Sequence, residues 1–145
     1  QEAGEPRNWI AVPDDDPAHF DERAFIDGIR AGRVVVSNGP FVTMTAGGKS
    51  IGDIVLAGDV EITIDVQAPP WIDVTRVELV DRGHLVRTFN GPFDASAKKR
   101  FSKTFSFPAK KGDFLVAVVR GEKPMKWLTR KKAAPFGFTN PIWVE

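Results

Sequence analysis

The spacing of apolar residues changes at Gly32. Before it, Phe25, Ile26 and Ile29 recur at helical intervals with Phe20 just outside, and Arg23, Asp27 and Arg30 fall on the other side. Asp21 suits an N-cap, Glu22 a first turn and Gly32 a stop, so the spacing predicts a short helix over about 21–31. So short a helix needs tertiary packing to persist. Upstream, Pro6, Pro13 and Pro17 exclude sustained helix, and Asp14-Asp15-Asp16 reads as a solvated acidic turn. Residues 1 to about 19 are therefore expected to form an irregular lead-in.

Beyond Gly32 the period is two. Val34-Val35-Val36 and Phe41–Thr45 read as strands separated by Asn38-Gly39-Pro40, a sharp corner. Val60, Ile62, Ile64 and Val66 alternate with Glu61, Thr63, Asp65 and Gln67, the clearest half-buried strand in the chain. Val74, Val77 and Leu79 lose phase by one residue, which predicts a bulge near Thr75-Arg76. Asp81-Arg82-Gly83-His84 reads as a hairpin turn into Leu85–Phe89, and Gly47-Gly48-Lys49-Ser50 as a hairpin loop. Phe101, Phe105 and Phe107 share one strand face. Phe114–Val119 is apolar on both, the pattern of a central strand covered on both sides. A last strand starts near Phe138. Seven to nine short strands predict a mainly β fold, a β-sandwich with Ig-like or jelly-roll-like connections and one short N-terminal α-helix. The division is a 1–32 lead-in or junction and a 33–145 sandwich.

Composition narrows this further. A chain of 145 residues is one domain by length and buries roughly 68–70% of its unfolded surface without staples. It has no cysteine, which excludes disulfides and thiolate metal sites and leaves the compartment open. A net charge of +1 gives no global reason to expect nucleic acid or membrane as partner. The longest apolar runs are too short to span a bilayer. The chain opens on Gln1-Glu2-Ala3-Gly4 rather than Met, which fits a piece of something longer or a processed terminus.

Residues that could carry chemistry are few. A two-metal hydrolytic site needs several His and carboxylate ligands converging on cations ~3.5–4 Å apart. The two histidines, His19 and His84, have no ligand-like spacing, so no catalytic or metal-ligating residue is assigned. Asp14-Asp15-Asp16 lacks the loop pattern of a calcium site. Ser37 lacks a nucleophile-elbow context, and Gly47-Gly48-Lys49-Ser50 lacks the upstream glycine of a phosphate loop. Basic residues gather between Lys98 and Lys132, in Lys98-Lys99-Arg100, Lys110-Lys111 and Arg130-Lys131-Lys132. They read either as solubilising loops or as a funnel for an anionic ligand. Trp9, Trp71, Trp127 and Trp143 read as core or interface anchors, or as stacking platforms for sugars. Trp71, after Pro69-Pro70, is the best placed of them for ligand contact.

Several short segments, in order, carry a resemblance. They are Arg7-Asn8-Trp9-Ile10, the helix followed by Gly32-Arg33 and Ser37-Asn38-Gly39-Pro40, Gly52-Asp53, and Val77-Glu78-Leu79-Val80 with Gly83. Gly112-Asp113-Phe114, Lys123-Pro124-Met125 and Phe138-Thr139-Asn140-Pro141-Ile142-Trp143 complete the series. The chain resembles, over essentially its whole length, the C-terminal β-rich part of PHP-domain metal-dependent phosphoesterases of the carbaryl-hydrolase-like group. The resemblance implies a parent hydrolase whose separate N-terminal barrel holds the divalent metals and cleaves phosphoesters, esters or carbamates. This chain alone would then be no enzyme and hold no cofactor. Its partner would be that barrel, within one polypeptide, with no nucleic acid or membrane. The helix would pack partly on the barrel, leaving apolar surface near it when the barrel is absent. Arg33, Ser37, Asn38, Gly39, Pro40, Thr139, Asn140 and Pro141 become candidate interdomain or cleft-facing residues. The rival expectation is a free-standing module binding a glycan or anionic ligand through Trp71 and the Lys98–Lys132 loops. A third is a small metal-dependent hydrolase using His19 or His84.

Overall fold

The computed structural model describes residues 5–14, 16–125 and 133–145. The elements are β1 (Arg7–Ile10), α1 (Glu22–Arg30), β2 (Val34–Ser37), β3 (Phe41–Ala46), β4 (Lys49–Ser50), β5 (Ile54–Val55) and β6 (Gly58–Gln67). They continue as β7 (Arg76–Asp81), β8 (His84–Asn90), β9 (Lys99–Ala109), β10 (Phe114–Arg120), β11 (Phe136–Thr139) and β12 (Ile142–Val144). Two sheets stack into a mainly β sandwich with one helix. No helix among the described residues is long and apolar enough to cross a membrane.

β10 is the spine of the first sheet. One edge carries β7 and then β8. The other edge is shared, by β11 over Val118–Arg120 and by β12 over Phe114–Leu115. β11 continues the sheet to β2 and then β1, and β12 pairs in parallel with β5. The second sheet runs β4-β3-β6-β9, antiparallel throughout. Alternation places Val60, Ile62, Ile64 and Val66 of β6 in the core, opposite Leu115, Ala117 and Val119 of β10, all at most 5% exposed. On one side of the sandwich Phe89 of β8 closes the gap by meeting Phe101 and Phe105 of β9, with ring centroids 5.0 and 5.4 Å apart. On the opposite side Trp9 of β1 meets Phe41 of β3 edge-on, ring centroids 5.7 Å apart, next to a cavity between the two strands.

Three expectations are corrected here. The lead-in is not irregular throughout: Arg7–Ile10 pairs with Ser37–Val34 as an edge strand. Four residues are too few to show a period, and β2 supplies the order. Val74 loses phase because it is a buried loop residue ahead of β7. The register shift lies instead at Leu79/Val80, where β8 has an extra residue. The final strand is two pieces, β11 and β12, split at Asn140-Pro141. The Arg82-Gly83 turn is as expected, with φ of 48° and 81° closing the β7–β8 hairpin.

The Asp21 carboxylate caps α1 by accepting from the Arg23 and Ala24 amides. Gly28 is its buried residue. A Cβ there would lie 2.8 Å from both Ala11 O and Ile10 Cγ2, so the glycine sets how closely the helix sits on the end of β1. Ile26 and Ile29 remain exposed. The predicted apolar stripe therefore does not face the core, because the contact is made by the backbone at Gly28.

On β6, Asp65 faces Ser102 and Lys99 of β9. The Ser102 hydrogen bond, reinforced by Lys99 with Nζ 3.1 Å away, holds its carboxyl below the ordinary value of 3.8, against a smaller opposing effect of burial. The unfolded chain takes up that proton more readily. The resulting stability is complete above pH 3.8 and is lost as pH falls through the lowered native value. Urea unfolding across an acid series is expected to show a flatter loss below pH 3.8 in Asp65→Asn than in the native chain.

Candidate functional site

β2 belongs to the first sheet and β3 to the second, so the chain must switch sheets at Ser37-Asn38-Gly39-Pro40. A corner there takes backbone groups out of both ladders, and buried groups need partners. Ser37, 2% exposed, donates from Oγ to Pro40 O at 2.6 Å and accepts from the Gly39 amide at 2.8 Å. Asn38 acts as a substitute peptide. Its Oδ1 accepts from the Phe136 amide at 2.7 Å and its Nδ2 donates to Ala134 O at 2.9 Å, while its own amide donates to Phe136 O at 3.1 Å. The corner is thus sewn to the chain entering β11.

At the other end of β2 and β11 lies the second group. Thr139, 1% exposed, accepts from the Ala117 amide at 3.1 Å, filling the ladder where β11 leaves β10. The Asn140 amide donates to Val34 O at 2.9 Å and Pro141 O accepts from the Gly52 amide at 2.8 Å. Gly52 also touches the end of α1, where a Cβ would fall 1.9 Å from Ala31 O, and its φ of 85° suits glycine. Asp53 caps the Ser50 amide, and Arg33 reaches it at 3.7 Å. Gly32-Arg33, Gly52-Asp53 and Asn140-Pro141, far apart in sequence, meet here.

The candidate interdomain residues therefore form two groups at opposite ends of one strand pair. Ser37, Pro40 and Thr139 are buried, with the Ser37 and Thr139 hydroxyls engaged internally, while Arg33 is exposed and Asn38, Gly39, Asn140 and Pro141 are half-buried. Arg33 through Pro141 can meet a neighbour at one end; the Ser37–Pro40 corner does so only through Asn38 and Gly39.

Trp71 stands on a separate feature. Ile72 donates to Pro69 O at 3.0 Å, closing a turn that puts Trp71 outward at 63% exposed. Arg100 holds this turn from inside. It is 6% exposed, and its guanidinium donates to Pro69 O at 2.6 Å, Asp94 O at 3.1 Å, Ala68 O at 3.2 Å and Ile72 O at 3.4 Å. This corrects the basic run: Lys99 pairs with Asp65, Arg100 is interior, and Lys98 faces solvent. A run of three cations hid the buried one. Alternation from inward Phe101 sends Arg100 outward; the bulge that brings it inside exists only in the β6–β9 pairing. Trp127 and Arg130-Lys131-Lys132 lie outside the described residues, as do Asp15 and the first four residues.

Three cavities share Trp9, and one of them is also lined by Trp71. One of about 710 Å3 opens between β1 and β3 and is lined by Val35, Met44 and Ile51. One of about 220 Å3 lies between Trp9 and Trp71, and one of about 480 Å3 continues over Pro69-Pro70 to Lys98. His19 lies 3.5 Å from Asp14 and 3.6 Å from Asp16 on the surface, and His84 is exposed in its hairpin. Among the described residues no three His, Asp or Glu side chains converge as a metal-ligand group.

No family model, curated protein or solved structure matches this chain. The fold class, a two-sheet β-sandwich with one helix, stands on its own geometry.

Two substitutions separate architecture from surface. Asn38→Ala strands partners at the corner and is expected to cost about 1–3 kcal/mol in urea unfolding, whereas Lys98→Ala stays within about 0.5 kcal/mol. Gly52→Ala forces a side chain onto the end of α1 and is expected to lower Tm more than Gly48→Ala, whose Cβ meets nothing within 4 Å. Both glycines have positive φ, so the difference reports the contact with α1.

Proposed function

We propose that this chain is the non-catalytic C-terminal accessory domain of a PHP-type metal-dependent hydrolase. It packs on a catalytic barrel that brings the divalent metals, and the exposed end at Arg33 and Asn140-Pro141 walls part of the cleft. The motif series from Arg7 to Trp143 is one support.

The observation that carries the reading is the outward face of the first sheet. Strand alternation sends Val34, Val36, Phe136, Phe138, Val116 and Val118 to that face, and each is only half-buried. The same face continues through Phe114, whose ring meets Trp143 at a tilt with centroids 5.6 Å apart, to Ile54, both Trp143 and Ile54 being about half exposed. A solvated sheet face ordinarily alternates to polar residues, and a contiguous apolar field of this kind marks an interface. At its far end Glu78 takes Arg76 at 2.8 Å and Arg120 at 3.0 Å, so two half-exposed guanidiniums share one carboxylate. That end carries a net positive charge suited to a carboxylate on the barrel. α1, with Ile29 exposed and Phe20 exposed just ahead of it, flanks the same sheet at β1.

The intact mass of the native protein in its source cells, read with an antibody to this domain, tests the attachment. A species far heavier than 16.0 kDa, whose additional segment carries His and Asp metal ligands, is the expected result. A native species of this chain's own size overturns the reading. The docking face has its own test. The isolated chain is expected to bind an apolar dye or to self-associate as concentration rises, and Val116→Lys with Phe138→Lys removes both while the domain stays folded by circular dichroism.

A further inference from the structure

The arginine end of the outer sheet face carries an arrangement that an apolar docking field does not explain. Strand pairing lays out two cross-strand rows there. One runs Asn90, Arg76, Arg120 and Phe136 across β8, β7, β10 and β11, and the next runs Thr88, Glu78, Val118 and Phe138. Residues directly opposed in antiparallel strands project to the same face, so the two arginines are immediate neighbours. Like charges so placed repel unless something answers them. Glu78 does so from beneath. It is 6% exposed, and its Oε1 takes the Arg76 Nε at 2.8 Å while its Oε2 takes the Arg120 Nε at 3.0 Å. It is the one acid in the two rows.

This pinning decides which donors are left over. A guanidinium carries its N–H groups in a rigid fork. Each arginine turns its Nε to Glu78, and no other residue among the described ones engages either guanidinium by hydrogen bond, ion pair or ring contact. Both side chains are about half exposed, so the terminal amino groups open to solvent from a fixed base. One carboxylate against two guanidiniums leaves one positive charge over in the group. Exposed Asn90, next to Arg76 in the row, adds a neutral amide donor. Two forks already held by a buried anchor lose less rotamer freedom on meeting a ligand than two free surface arginines do.

We infer that the Arg76–Arg120 pair binds a tetrahedral oxyanion of the phosphate class, with Glu78 as the positioning residue. A carboxylate offers two oxygens in one plane, which a single fork satisfies. A phosphate monoester offers three acceptor oxygens out of plane, so it takes bonds from both forks at once, and it carries about −1.5 to −2 charge at neutral pH. Phe136, next to Arg120 in the row and stacked with Phe138 at 6.3 Å, gives the organic part of a monoester an apolar neighbour. The phosphate group is the chemistry shared by the free ion and the monoester.

The test follows the arginine Nε–H resonances of the isotope-labelled chain by NMR during titration with inorganic phosphate, phenyl phosphate and acetate, at constant ionic strength in chloride. The expected result is a saturable shift of the Arg76 and Arg120 signals with phosphate or phenyl phosphate, about tenfold tighter than with acetate. Phenyl phosphate binding more tightly than the free ion assigns the monoester, and equal affinity assigns the ion. Arg76→Lys with Arg120→Lys keeps the charge and a cation for Glu78 but removes the forks. That double variant is expected to weaken phosphate by about tenfold, the scale of one charge-assisted hydrogen bond, with Tm certifying the fold. Arg120→Lys alone, which leaves Arg76 on Glu78, moves the same way and serves where the double variant melts early. Absence of a saturable shift at either arginine overturns the inference, as does undiminished binding in the lysine variants, the mark of diffuse charge attraction. Acetate binding as tightly as phosphate overturns the ligand class and leaves the pair to a carboxylate of a docked neighbour. None of these outcomes bears on the mass of the native protein, so this site and the accessory-domain reading fail separately.

Discussion

The sandwich depends on pairing the backbone wherever the chain leaves a ladder. Within a sheet, peptides satisfy one another; at a corner between sheets they face a core that offers nothing. The β2–β3 crossing solves this with two adjacent side chains. Ser37 closes the turn on Pro40, and the Asn38 amide stands in for a peptide toward Ala134 and Phe136. The same device recurs at Thr139 toward Ala117, at Asp113 toward the Lys110 amide, and at Asp73 toward the Glu122 and Lys123 amides. An unpaired buried amide costs more than a hydrogen bond gains, so short polar residues at these points are architectural before they are anything else. The Ser-Asn-Gly-Pro and Thr-Asn-Pro segments thereby acquire a physical reason that requires no chemistry.

Arg100 is the extreme form of that device. A guanidinium has donors in a fixed fork and no acceptor, and here it answers four carbonyls of two loops at once. Burial of the charge is sustained by these bonds, and the loops gain a common anchor. The consequence reaches the surface, since the turn so anchored presents Trp71. A rigid interior cation and an exposed aromatic ring thus belong to one local design, with Lys98 and Lys99 on either side of the β9 entry doing unrelated work.

The first sheet has two apolar faces but one core. Its inner face meets β6 and β3; its outer face carries partly buried valines and phenylalanines, with α1 at one margin and the Arg76–Glu78–Arg120 group near another. A strand apolar on both faces reads as covered on both sides, and among the described residues β10 has a layer on one only. This is where composition and architecture part. Aromatic rings bridge the sandwich on both sides, Phe89 to Phe101 and Phe105 on one and Trp9 to Phe41 on the other. Trp9 also lines the three cavities on that side.

Local pattern alone determined the elements whose cause is local. The β6 alternation, the Asp21 cap, the Gly32 stop, the Arg82-Gly83 hairpin and the two-sheet class follow from side-chain period and turn chemistry, which act over a few residues. The tertiary structure decided what depends on partners distant in sequence. It made a strand of Arg7–Ile10 because β2 was there to pair it, and split the last strand because Thr139 and Pro141 serve different neighbours. It turned α1 so that Gly28 rather than its apolar stripe touches the body, and drew Arg100 inside from a run of surface cations. The meeting of Gly32, Gly52 and Asn140, and of Trp9 with Trp71, is likewise invisible in one dimension. Period records which face a residue takes; only packing decides what, if anything, lies against that face.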